Sequence, residues 1–119
     1  MSFDKDLIHH WDEYYKKDKA PSFPSPFAEY VANILNTQQD ILEIGCGNGR
    51  DAKYFSSKGH HVTGLDRSRE AIELCKRLYS NEPIDFFFGA ITDIAKQNKI
   101  YDLIYSRFVI HALSLNEEL

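Results

Sequence analysis

The residues Glu43-Ile44-Gly45-Cys46-Gly47-Asn48-Gly49 place an acid and three glycines where an apolar run gives way to a helical pattern. Glycine permits positive φ in a tight turn, and without a Cβ it lets a ligand lie against the backbone beyond the carboxyl end of a strand. The dinucleotide-binding fingerprint is G-x-G-x-x-G. Here the third glycine comes one residue early, giving G-x-G-x-G. Glu43 sharpens the distinction, since a carboxylate at a strand tip repels a pyrophosphate and attracts a cationic ligand.

A second acid, Asp66, closes the run His61-Val62-Thr63-Gly64-Leu65-Asp66. It lies about 20 residues after the loop, where an acid accepts hydrogen bonds from ribose hydroxyls. NAD and S-adenosylmethionine share that requirement, but only S-adenosylmethionine carries the ammonium and sulfonium that suit Glu43. Taken alone, an Asp before a helix is a cap or a turn residue. The combination with Glu43 and the glycines points to an adenosine ligand with a cationic end. Cys46 and Cys75 lack zinc or disulfide-framework spacing and read as reduced thiols. The pairs His9-His10 and His60-His61 lack metal-ligand spacing, so no metal site is expected.

The elements that must position these groups follow from periodicity. Leu7, Ile8, Trp11, Tyr14 and Tyr15 recur at helical spacing, which predicts an amphipathic helix from Ser2 to about Lys17. Pro21, Pro24 and Pro26 then forbid regular helix up to Ser25, which is placed to cap a helix whose buried stripe is expected at Phe27, Tyr30, Val31, Ile34 and Leu35. From Asp40 the pattern becomes strand, loop and helix in repetition. Strands are expected at Asp40–Ile44, His61–Leu65, Ile84–Phe88 and Tyr101–Tyr105, with helices at Arg50–Lys58 and Ser68–Tyr79. Ala71, Leu74, Cys75 and Leu78 should face inward from the latter, and Gly59 should stop the former. Parallel strands need crossovers, usually helical, so the alternation predicts a Rossmann-like parallel α/β sheet. Residues 1–38 are expected to form an N-terminal helical and proline-containing lid or linker, and residues 39–119 the ligand-binding half domain.

Composition narrows the function classes. The net charge is −4, and the densest basic stretch, Lys16, Lys17 and Lys19, is interrupted by Asp18, a poor footprint for nucleic acid. No apolar run approaches the roughly 20 residues of a membrane span, and Met1–Asp6 lacks a signal-like apolar region, so a cytoplasmic protein is expected.

With these residues in view, the chain resembles the class I S-adenosylmethionine-dependent methyltransferases, whose first motif reads like Glu43-Ile44-Gly45-Cys46-Gly47-Asn48-Gly49-Arg50-Asp51. The likeness runs from Asp40 to Leu113. It implies that Glu43 and the loop Gly45, Cys46, Gly47, Asn48 and Gly49 lie under the methionine and ribose, that Asp66 holds the ribose diol, and that Arg67 flanks the adenine. The family often has Gly-Asp after the third strand. This chain has Gly89-Ala90-Ile91, which leaves Ala90 and the Ile91 backbone as adenine contacts, with Asp93 as a substitute acid. Ser106 and Arg107 border the methionine end, and His111 is the best-placed general base for a hydroxyl acceptor, with His10 and Tyr15 as lid contributors. Ser106 to Leu113 is also similar to sugar and cell-surface polysaccharide methyltransferases, which implies a small-molecule acceptor such as a sugar or another metabolite.

The family core has seven strands in the order 3-2-1-4-5-7-6, and this chain reads as far as the fourth, with order 3-2-1-4. It is therefore expected to be a fragment or to be completed by another chain, and the edge at Tyr101–Ser106 invites self-association or a complementary partner. Two other readings stand beside a methyltransferase: a catalytically silent half that needs a partner chain, and an NAD-binding oxidoreductase module, which the glycine spacing and Glu43 disfavour.

Overall fold

In the computed structural model, which describes residues 23–106, strands β1 (Asp40–Ile44), β2 (His61–Asp66), β3 (Ile84–Phe88) and β4 (Leu103–Tyr105) form one parallel sheet in the order β3-β2-β1-β4. This is the expected Rossmann-like order. The helices are α1 (Pro26–Ile34), α2 (Arg50–Ser57), α3 (Arg69–Leu78) and the five-residue α4 (Ile91–Ala95). The expected Ser2–Lys17 helix and the segment beginning at Arg107 lie outside the described residues.

Crossovers between parallel strands are right-handed, so β1-α2-β2-α3-β3 steps one way across the sheet and puts α2 and α3 on one face. The chain then returns through α4 to β4 on the far side of β1. Side-chain parity shows the result. Ile41, Val62, Ile84, Phe86 and Tyr105 pack with Ala28 and Val31 of α1, Ala52 and Phe55 of α2, and Ile72 and Cys75 of α3. Leu42, Ile44 and Leu65 point the other way, onto Ile94 of α4 and Tyr101. β1 lies in the middle and is covered on both faces, so Ile41 to Ile44 are all buried. The strand order reverses between β1 and β4, and the crevice beyond the carboxyl ends at such a switch point is where open α/β sheets bind ligands.

Three expectations need correction. α1 turns Ala28 and Val31 inward, whereas Phe27, Tyr30 and Ile34 are 44%, 62% and 59% exposed. The cause is at its N-cap, because Ser25 is hydrogen-bonded through both N–H and Oγ to Asp51, which fixes the rotation of the helix about its axis. In α3, Leu78 is 53% exposed and Ile72 is buried. The last turn of α3 overruns the sheet, and Tyr79 packs on Phe86 instead, with ring centroids 6.2 Å apart. β4 begins at Leu103 rather than Tyr101, with Asp102 held at the start of β1, where its N donates to Asp40 O at 2.9 Å and its carboxylate accepts from Asp40 N at 2.8 Å. The short helix α4 had no counterpart in the sequence reading. Five residues are too few to show a period.

Candidate functional site at the strand tips

The loop after β1 is tied to β2 at every step. Gly45 N and Cys46 N both donate to Leu65 O, at 2.7 and 3.0 Å, and Gly47 N donates to Asp66 Oδ2 at 2.9 Å. Gly49 N closes the turn on Cys46 O at 2.9 Å. Gly45, Gly47 and Gly49 have φ of 73°, 59° and 82°, a region that L side chains avoid. At Gly49 space is restricted as well. An added Cβ would lie 2.9 Å from Tyr79 Cε2 and 3.0 Å from Cys75 Sγ, so this glycine lets the loop pack on α3.

Asp66 stands at the end of β2, partly buried, with Oδ1 accepting from Ser68 N at 2.8 Å. A carboxylate at the end of the second strand is placed where such folds take hydrogen bonds from ribose hydroxyls. Beneath the loop, Cys75 Sγ donates to Gly47 O at 3.1 Å. Hydrogen bonding with Cys75, followed by burial, raises the Cys46 thiol well above its ordinary range. Cys46 therefore stays protonated, buried within the loop.

On the thick face of the sheet the carboxyl ends carry a buried acid cluster. Glu43 is 3% exposed and pairs in register with Tyr105, so the two side chains share a face. Asp51, 1% exposed in the first turn of α2, accepts at Oδ1 from Ser25 N and at Oδ2 from Ser25 Oγ and Tyr105 Oη, each at 2.8 Å. Burying a carboxylate costs several kcal/mol unless donors satisfy it, and these three do so. Burial, and then the nearby Asp51 and Glu43 charges, pushes the Tyr105 phenol far above its ordinary value, so it remains a donor. Next to it, Ser106 Oγ is buried without a hydrogen-bond partner among the described residues.

The sequence from 41 to 118 matches the model of the methyltransferase domain family. The chain belongs to this family. The methyltransferase domain is 34% identical over 67 residues to a ubiquinone biosynthesis O-methyltransferase of Vibrio atlanticus, covering 54% of this chain and 28% of that protein. It is 32% identical over 66 residues to phthiotriol/phenolphthiotriol dimycocerosates methyltransferase 1 of Mycobacterium ulcerans, covering 54% and 24%. A solved structure from work on the conversion of a disulfide bond into a thioacetal group during echinomycin biosynthesis superposes with a TM-score of 0.76 at 23% identity, covering 89% of this chain and 48% of that one. That likeness shows the fold. The chain spans less than a third of the two curated relatives and about half of the solved structure.

Within the methyltransferase domain, the structure gathers Glu43, Gly45, Cys46, Gly47, Asn48, Gly49, Asp66 and Ser106 around the strand tips. Asn48 is buried, and its Oδ1 accepts from Arg50 N at 3.2 Å. On the β3 side, Arg67 and Ile91 are exposed, and Ala90 N donates to Asp93 Oδ2 at 2.8 Å, so the Asp93 carboxylate caps α4. Arg107 and His111 lie outside the described residues, as do His10 and Tyr15. His60 and His61 serve structure: His60 Nδ1 accepts from Gln39 N at 3.0 Å, and His61 lies 3.4 Å from Asp40.

The sequence reading missed the Ser25–Asp51–Tyr105 network. In the sequence Ser25 reads as a helix cap and Tyr105 as a strand residue, and Asp51 enters only as the last residue of the glycine motif. No local pattern reports a contact across 26 or 54 residues.

Proposed function

We propose that this domain binds S-adenosylmethionine beyond the carboxyl ends of β1, β2 and β4, as the cofactor-binding part of a methyltransferase acting on a small-molecule acceptor. The observation that carries this reading is the pair of buried acids, Glu43 and Asp51, on one sheet face beside a loop of positive-φ glycines. Such a site favours a cation and disfavours a pyrophosphate. The residues present fit the ligand: Glu43 favours its ammonium and sulfonium, Asp66 ends β2 with a partly buried carboxylate that suits a ribose diol, and Ser106 Oγ is a buried polar atom at the methionine end. The ubiquinone relative methylates oxygen by its name, which supports a small-molecule acceptor here.

When bound, the cofactor supplies a methyl group on a positively charged sulfur that leaves as a neutral thioether. The protein's contribution is then orientation at attacking distance, together with water exclusion. His111 is assigned the general-base role for a hydroxyl acceptor. Among the described residues β4 pairs with β1 alone and Ile104 is 60% exposed, so its outer edge is the assigned place for further strands or a complementary chain.

Calorimetric titration with S-adenosylhomocysteine and, separately, NAD tests this reading. S-adenosylhomocysteine should bind and NAD should not. Asp66→Ala should weaken binding by about tenfold or more, because hydrogen bonds to a charged group are lost. Tighter binding of NAD, or full retention of affinity in Asp66→Ala, would overturn the assignment.

A further inference from the structure

Resting on that cofactor assignment, we propose that Tyr105 and Asp51 are positioning residues: their hydroxyl-to-carboxylate bond sets the spacing between the tip of β4 and the first turn of α2, which bracket the methionine end of the ligand. Ser25 locks the chain entering α1 onto the same carboxylate.

The position of the network distinguishes it from ordinary cohesion. Asp51 follows Gly49 by two residues, so any movement of its carboxylate is passed directly to the glycine loop. Tyr105 is the register partner of Glu43 and precedes Ser106, so its hydroxyl reports on the other wall of the same crevice. Ser25, Asp51 and Tyr105 are 2%, 1% and 3% exposed, which leaves water no easy route to replace a lost partner. A second tie runs in parallel, from Arg50 Nη1 to Phe23 O at 3.4 Å. Two consecutive residues of α2 thus hold the segment that leads into α1.

The hydroxyl can be removed without disturbing the ring. Phe55 meets Tyr105 edge-on at 4.9 Å, and Phe27 stacks on it at 5.3 Å. Tyr105→Phe keeps both contacts and the strand pairing and deletes the hydroxyl's bond to Asp51 together with its 3.3 Å contact to Ser25 Oγ. The first turn of α2 then loses one of its fixed distances. A misplacement of about 1 Å at a binding or reacting centre costs up to about a hundredfold, so a smaller shift should register clearly.

The test is titration of S-adenosylhomocysteine into the parent chain, Tyr105→Phe, Ser25→Ala and Ser25→Thr, with circular dichroism confirming that each is folded at the working temperature. Tyr105→Phe and Ser25→Ala should bind about tenfold more weakly. Ser25→Thr retains the hydroxyl and should return to within about twofold of the parent. A purely cohesive role predicts lower melting temperatures with affinity unchanged, and that result in the folded Tyr105→Phe and Ser25→Ala variants would overturn the proposal. Should Tyr105→Phe fail to fold, the Ser25 pair decides in the same way. A parent chain that takes NAD, or neither ligand, removes the cofactor reading and this inference with it. A parent that binds S-adenosylhomocysteine alongside variants that bind equally well removes the positioning role alone.

Discussion

The two faces of the sheet are built to different depths. One carries three helices, the larger core and the acid cluster, with Phe55 and Ile41 fully enclosed. The other has Leu42, Ile44 and Leu65 under a five-residue helix, with Ile94 as its buried anchor. The thick face can hold Asp51 out of water because it has enough elements to bring donors to that carboxylate from distant parts of the chain. The thin face has no comparable supply among the described residues. Binding chemistry has therefore collected where packing is deepest.

The largest effect expected from this contrast is in core truncation. Phe55→Ala should cost about 3–5 kcal/mol, a large share of the roughly 5–15 kcal/mol that holds a small domain together. Ile94→Ala should cost less, about 2 kcal/mol, because a short peripheral helix can settle into the space. Urea unfolding of the two variants checks this. Equal losses would break the contrast between the faces.

A smaller effect separates two glycines with similar backbones. Gly49 has φ +82° and a Cβ added there would lie 2.9 Å from Tyr79 Cε2 and 3.0 Å from Cys75 Sγ, whereas Gly59 has φ +94° and a Cβ added there would meet nothing within 4 Å. Gly59→Ala should cost about 1–2 kcal/mol for the left-handed conformation alone. Gly49→Ala adds the clash and should cost more by about 1–3 kcal/mol. Similar midpoints for the two would show that α3 yields easily to the loop.

Smaller still is a pH effect at the base of the thick face. Burial lowers the pKa of His60 from its ordinary 6.5, consistent with Nδ1 accepting from Gln39 N. A lowered folded pKa means that the unfolded chain takes up the proton first. His60 thus contributes stability that is complete above about pH 6.5 and is lost as pH falls through the folded value. The melting temperature should decline over that window, and His60→Gln should flatten the slope. An unchanged slope in His60→Gln would place the titration elsewhere. The smallest effect belongs to Lys53 and Glu82, 2.6 Å apart with side chains 39% and 33% exposed. Lys53→Met should change stability by less than about 1 kcal/mol, and the difference should shrink in salt.

What the sequence made legible follows the same division. The strand and helix alternation, the glycine loop and the acid at position 66 were readable because each is a local pattern with a fixed spacing, whereas the strand order followed from the family resemblance. The inward stripe of α1 was misread because Phe27, Tyr30 and Ile34 look more apolar than Ala28. Hydrophobicity proposes a buried face, but a tether can choose another, and here Ser25 on Asp51 does so. Glu43 was legible as an acid at a strand tip. Its depth of burial was not, since it depends on Tyr105 arriving beside it from the other end of the described chain.

That late arrival bears on how the domain forms during synthesis. β1 with β2, and β2 with β3, pair strands that emerge in succession, but Tyr105 must return across 54 residues to reach Asp51. Closing so long a loop is entropically slower than the local pairings. A nascent chain therefore acquires its glycine loop, Asp66 and the Ser25–Asp51 pair before the far wall of the crevice exists. Ligand affinity should mature last, as a timing property of where one tyrosine sits along the chain.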